Sequence, residues 1–258
     1  MTTTASSASN LAGLEISAEY AECLKKYHDN PPAYTARPMA SPFDPEQGTY
    51  PLISDEMIGN IRFRKFGVIK CLGTKKPDEV DHAGYLLVVE IPGQPTLVYA
   101  LFSGRWFSNF SEGKYADCKG ELANGTILKL PFHCSEQFFQ LLKIAKLEEH
   151  CGTNNQYLQA FELCLNAAKP AANKQAAGPK NLKDVPKTFW DEWTNASKLA
   201  MEHCVKHKCS CPVFYEELCR LHTFAQSFGS DTILVIHEAT DDGPVSYTHL
   251  TLPTKRIV

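Results

Sequence analysis

The stretch HCSEQFFQLLK, residues 133–143, sets a glutamate, two glutamines and a lysine among aromatic and aliphatic side chains. Wound as a helix at about 100° per residue, it carries Gln140 about 40° to one side of Glu136 and Lys143 about 20° to the other. Phe138, Leu141, Leu142 and Ala145 fall on the opposite face, where they pack into a core. The polar stripe is narrow, and it faces either solvent or a pocket. The first choice makes this an ordinary surface helix, the second a functional one.

Working outward, helical spacing continues after Pro131. It covers segments around 135–150, 155–168, 187–207 and 213–222, with breaks at Gly152, Pro170, Pro179, Pro186 and Pro212. Upstream, three runs read as strands: IRFRKFGVIKCL (61–72), GYLLVVEIP (84–92) and TLVYALF (96–102). Gly, Pro and Asp separate them, so they suit an antiparallel meander. TILVIHEA (232–239) reads as a buried strand. Strands first and helices later predict an α+β fold, mostly helical around a small sheet. Residues 1–12 read as disordered, Leu14–Tyr27 as a short helix and Pro31–Pro51 as an extended linker. The expected organisation is therefore a disordered or linker segment with one helix over 1–50, a strand-bearing extension over 51–96 and the main domain over 97–245. The last stretch, SYTHLTLPTKRIV (246–258), resembles translated vector read-through and is expected to be a non-native tail.

Composition bounds the class. With 258 residues, 43% hydrophobic and 21% charged, the chain has the makings of a core that needs no stapling. A net charge of −3 offers no basic field for nucleic acid in bulk, yet leaves room for a nucleotide or modified base as substrate. The start, MTTTASSASN, has neither a basic nor an apolar region of a secretory leader, and no apolar run is long enough to span a bilayer. An intracellular, cytoplasmic protein with no membrane partner is expected. Ten scattered cysteines in that setting read as reduced, buried thiols. The cluster HCVKHKCSC (203–211), with Cys219 and His222 beyond it, offers zinc-type ligands. It lacks the C-x2-C knuckle spacing, so no metal is expected.

Three stretches in order are more specific than any of these: FSGRWFSNF (102–110), SEQFFQLLK (135–143) and WTNASKLAM (193–201), followed by the strand LVIHEAT (234–240). Together they resemble the NADAR domain, the YbiA-like family of N-glycosidases, over roughly residues 97–242. That family shows a pattern like F-S-N-F, then S-E-H-Y-x-Q-A-x-K, then W-x7-M, then a strand ending E-x-[ST]. Gln137 stands where the family usually has histidine.

The resemblance implies hydrolysis of the N-glycosidic bond between a ribose and a nitrogenous base, with no cofactor. The substrate would be a phosphoribosylamino-pyrimidine intermediate of riboflavin synthesis, or guanine carrying ADP-ribose, including such an adduct on nucleic acid. Glu136 then suits proton transfer or stabilisation of an electron-poor anomeric carbon. Lys143, once desolvated, suits Schiff-base formation with a ring-opened ribose. Seven residues apart on a helix, the two lie about 10 Å apart along its axis, with Gln140 between them. Ser108 and Asn109 match the family's S-N pair, fit to bind ribose or base edges, although an Asx turn accounts for them equally. Trp106 and Phe107 beside them, and Trp193, suit base stacking as well as core packing.

Two departures qualify the resemblance. KPAANKQAAG (169–178) keeps Pro170 and Lys174 of a P-x-x-A-[KR]-x-x-G-R pattern, but Ala177 and Gly178 replace the Gly-Arg pair. Lys174 or Lys180 would have to take over a phosphate contact, in a stretch that otherwise reads as a solvated linker. After the last strand Glu238 and Thr240 match, and Asp241 or Asp242 stands for the family's acid, but GPVSYTHL replaces the W-G-x-G segment. An inactive module that binds ADP-ribose or a nucleotide is the alternative these departures favour.

Overall fold

A computed structural model describes residues 9–33, 50–69, 82–103, 109, 118–209, 211–239 and 250–252. In chain order the elements are β1 (Ser9–Leu11), β2 (Leu14–Ile16), α1 (Ala18–Asp29), β3 (Leu52–Ile58), β4 (Ile61–Ile69), β5 (His82–Glu90) and β6 (Leu97–Ser103). Then come β7 (Cys118–Glu121), β8 (Ile127–Leu130), α2 (Ser135–Cys151), α3 (Asn155–Asn166), α4 (Pro170–Ala176) and α5 (Lys187–Cys209). The last are α6 (Pro212–Gln226), β9 (Ile233–Ala239) and β10 (Leu250–Leu252). Among the described residues, six helices and two sheets make the fold α+β. Among the described residues no helix is long and apolar enough to cross a membrane.

The elements sort into two compact units, each made from two pieces of chain. The first takes residues 1–39 and 112–211, the second residues 40–111 and 212–258.

The first unit holds an antiparallel sheet in the order β2-β1-β7-β8. The turn Ala12-Gly13 joins β1 to β2 with positive φ at both residues, 52° and 85°, the conformation that matches the twist of a two-residue hairpin. α2 runs through the middle of the unit and packs against α3, α4, α5 and β2. Its side chains are buried almost without interruption from Ser135 to Glu148, except at the half-buried Lys143 and Lys146. Cys134 caps its start by accepting from Gln137 N at 3.4 Å, and Gly152, at φ 78°, ends it. Aromatic contacts close the core: Tyr20 on Phe161 at 4.6 Å, Phe132 stacked on Phe138 at 5.3 Å, and Trp193 between Phe139 and Phe189.

His207, on the buried side of α5, sits edge-on to Phe132 and Phe138. Burial lowers its pKa from 6.5 to about 3, so it folds neutral. Between those pH values the unfolded chain binds the proton that the folded chain refuses, and stability falls as pH falls through the window. The full shift corresponds to roughly 4–5 kcal/mol lost by pH 3. Denaturant titrations from pH 7 to pH 4 are expected to show this slope, and His207→Phe to flatten it.

The second unit holds a six-stranded sheet in the order β10-β9-β6-β5-β4-β3. β3 to β6 form the antiparallel meander expected over the three strand-like runs, with β3 as an additional strand. β9 lies parallel to β6, pairing Leu97 with Ile233 through Ser103 with Ala239. Phe224 of α6 and Phe228 in the turn after it meet Phe66 at 5.0 and 5.9 Å, and the Arg64 guanidinium covers the Phe228 ring at 4.5 Å.

Several expectations need correction. Residues 9–11 and 14–16 form a hairpin, and with α1 they belong to the first core, so this part of 1–50 is neither disordered nor linker. The stretch read as a solvated linker at 169–178 contains helix α4. β7 and β8 had no counterpart in the sequence reading. The expected boundary at 96/97 falls inside the second unit: β6, assigned to the main domain, pairs with β5 of the supposed extension. Apart from these corrections, Leu250–Leu252 pair antiparallel with β9.

Candidate active site

The polar line of α2 is built by helical spacing and then enclosed by its neighbours. Glu136 and Gln140, one turn apart, are 7% and 5% exposed. Gln140 donates from Nε2 to Glu136 Oε1 at 2.6 Å, while its amide oxygen has no hydrogen-bond partner. A buried carboxylate held by an amide, beside an acceptor with nothing bound to it, is a polar group in want of a donor.

Lys143 lies one turn further along the same face. Its ammonium donates to the main-chain oxygen of Ala177 at 2.9 Å. That carbonyl is presented by the end of α4. Pro170 starts this helix at a position where its missing N–H is harmless, and the fully buried Asn173 anchors it by donating to Cys164 O at 2.8 Å. Burial is the main cause lowering the Lys143 pKa from 10.5 to about 8. The Glu136 charge pulls it back up, and Lys174 pushes it further down. An amine of this kind is about one-tenth unprotonated at pH 7, against well under one-thousandth for an ordinary lysine.

Beside this line Gln137 points the other way, into the core, and is fully buried. Its amide oxygen accepts from His133 N at 3.1 Å and meets His133 Nδ1 at 2.8 Å. Its amide nitrogen donates to Cys164 O and Leu165 O at 3.2 and 3.0 Å. These are carbonyls of the last turn of α3; Cys164 O also accepts from the C-cap Ala167 N at 3.4 Å and from Asn173 Nδ2 at 2.8 Å. Gln137 therefore fixes the start of α2, and with it Glu136, against the end of α3. Cys164 and Cys204 are fully buried thiols whose pKa burial drives up, so they stay protonated and unreactive.

Of the residues singled out by sequence, Glu136, Gln140, Lys143, Lys174 and Trp193 all belong to the first unit. Glu136, Gln140 and Lys143 share one face as expected. Lys174 is exposed on α4 and acts on Lys143 through its charge. Trp193 is 8% exposed and packed between Phe139 and Phe189, which makes it a core residue rather than an open platform for a base. Asn109 and Glu238 belong to the second unit: Asn109 is buried in a turn, and Glu238 sits in β9 opposite Phe102. Ser108 and Asp242 lie outside the described residues, as do Trp106, Phe107, Thr240 and Asp241. Among the described residues no three histidine, cysteine or acidic side chains gather into a group fit for a metal ion. His207 and Cys204 of the HCVKHKCSC stretch are instead buried in the core.

Sequence reasoning missed the Ala177 carbonyl and the structural role of Gln137. A proline at 170 with Asn173 and Lys174 in the next turn was a readable helix start. The side-chain-independent contact of Ala177 left no trace in the residue types. No family model, curated protein or solved structure matches this chain.

Proposed function

We propose that this chain hydrolyses the N-glycosidic bond between a ribose, carried as phosphoribose or ADP-ribose, and a nitrogenous base, with Glu136 and Lys143 as its reacting groups. The observation that carries this reading is the Lys143 amine. It is half-buried, anchored on the Ala177 carbonyl, lowered in pKa to about 8 and aligned with a buried carboxylate. A solvated stripe would leave the lysine near its ordinary value.

In the reaction the unprotonated Nζ attacks C1′ of the ribose. The bond from C1′ to the base nitrogen breaks, and its electron pair leaves on that nitrogen. Nζ gives its proton to solvent, and Glu136, protonated from solvent, donates a proton to the departing base. The remaining N–H proton passes to O4′ as the C1′–O4′ bond opens, which gives an imine to which water adds. Release of ribose then restores the free amine. Gln140 holds Glu136 in place, and its open amide oxygen accepts from a hydroxyl or N–H of the substrate.

A second reading, a binder of ADP-ribose or a nucleotide without turnover, is favoured by two features of the sequence: Ala177-Gly178 in place of Gly-Arg, and GPVSYTHL in place of the acid-W-G segment. Two measurements separate the readings. Chromatography of ribosylated guanine and of a phosphoribosylamino-pyrimidine, each incubated with the chain, should show free base appearing. Calorimetry with ADP-ribose that gives binding while no base is released would support the binder.

A further inference from the structure

β3 is the terminal strand of the six-stranded sheet, paired with β4 on one edge and with no described element on the other. Natural sheets blunt such edges with lysine, proline or a covering element. β3 has no lysine or proline, its protection being the charges of Asp55 and Glu56 and a bulge between Leu52 and Ser54, and its Leu52, Ile53, Met57 and Ile58 are 54%, 44%, 60% and 65% exposed. Four large apolar side chains exposed on one short strand mark an interaction surface.

The order of residues selects the partner. LISDEMI reads apolar, apolar, polar, polar, polar, apolar, apolar, the same in both directions from Asp55. In an antiparallel pair, facing residues either both direct their main-chain groups at each other or both direct them away. A strand pairing with its own copy is therefore centred on a residue, never between two. Centring on Ser54 sets Leu52 against Glu56 and Ile53 against Asp55. Centring on Glu56 sets Met57 against Asp55 and Ile58 against Ser54. Centring on Asp55 alone sets Ile53 against Met57 and Leu52 against Ile58, twice each by symmetry.

The charges agree with that centre. Ser54 faces Glu56, so a hydroxyl donor meets a carboxylate. The two Asp55 carboxylates meet at the axis, but each is already neutralised by Arg62, with Nε to Oδ1 at 2.9 Å and the terminal nitrogen to Oδ2 at 2.6 Å. The bulge between Leu52 and Ser54 interrupts the ladder with β4 at that end.

We propose that β3 pairs antiparallel with β3 of a second copy of this chain, about a twofold axis at Asp55, and so joins two six-stranded sheets into one. Sedimentation equilibrium of the full chain is expected to show a monomer passing to a dimer as concentration rises. Ile53→Lys and Met57→Glu, both at exposed positions, are each expected to stay monomeric with an unchanged far-ultraviolet circular dichroism spectrum. Because residue 53 faces residue 57 across the axis, an equimolar mixture of the two variants is expected to recover a heterodimer. A wild-type chain that is monomeric at every concentration would overturn the proposal. So would a dimer indifferent to either substitution, or a mixture of the variants that remains monomeric.

Discussion

Replacing Lys143 with methionine is expected to stabilise the fold at neutral pH while reducing base release by about a thousandfold. The folded chain gives up the Lys143 proton near pH 8, whereas the unfolded chain holds it to about 10.5. Between those values the unfolded state binds more protons, so the unfolding free energy rises with pH. Below about pH 8 the whole penalty stands, roughly 3 kcal/mol for a shift of this size. Methionine has a similar length and no charge to desolvate. It removes that penalty and leaves the Ala177 carbonyl without its donor, which takes back about 1 kcal/mol. The net gain is about 2 kcal/mol at pH 7 and turns into a loss of about 1 kcal/mol above pH 10.5, where only the missing donor to Ala177 remains. Urea titrations at several pH values check the sign. Glu136→Gln should act in a related way on the amine, lowering its pKa further because the carboxylate that holds the proton on is gone.

Gln137→Leu is expected to lower the unfolding free energy by about 4 kcal/mol, read as a fall in the urea midpoint with an unchanged slope. Leucine fills nearly the same volume, so packing is kept and the polar account changes. The substitution removes the acceptor met by the main-chain N–H and Nδ1 of His133 and one donor each to Cys164 O and Leu165 O, all inside the core, while Cys164 O keeps Asn173 Nδ2 and Ala167 N. Gln137→His keeps a ring nitrogen as donor towards α3 and should cost less. The start of α2 is fixed by these bonds, so loss of Gln137 is also expected to loosen Glu136 and slow any turnover.

The long helices were legible because periodic burial repeats over several turns. α2, α3 and α5 begin at the expected residues, and the meander β4-β5-β6 follows its apolar runs. The three-residue strands SNL and LEI are too short to show alternation, and their pairing is decided by the Ala12-Gly13 turn rather than by pattern. The 96/97 boundary failed for a topological reason. β6 and β9 are neighbours in the sheet, yet most of the first unit lies between them in sequence. At the site, periodicity placed Glu136, Gln140 and Lys143 on one face, and the structure places them so. It could not show that this face is enclosed, because that depends on neighbouring elements packing around α2 and on α4 turning Ala177 O towards Nζ. A helix surrounded on all sides loses the contrast between faces that amphipathic reading relies on.

Cleavage by Glu136 and Lys143 is the step on which the proposed function rests. Its most direct test is a single-turnover assay, following release of free base from ribosylated guanine and from a phosphoribosylamino-pyrimidine by the wild-type chain, Glu136→Gln and Lys143→Met, with calorimetry on the same samples. Base release by the wild type is expected, with bound but uncleaved substrate in both variants. Release by either variant at the wild-type rate, or binding without release by the wild type itself, would contradict it.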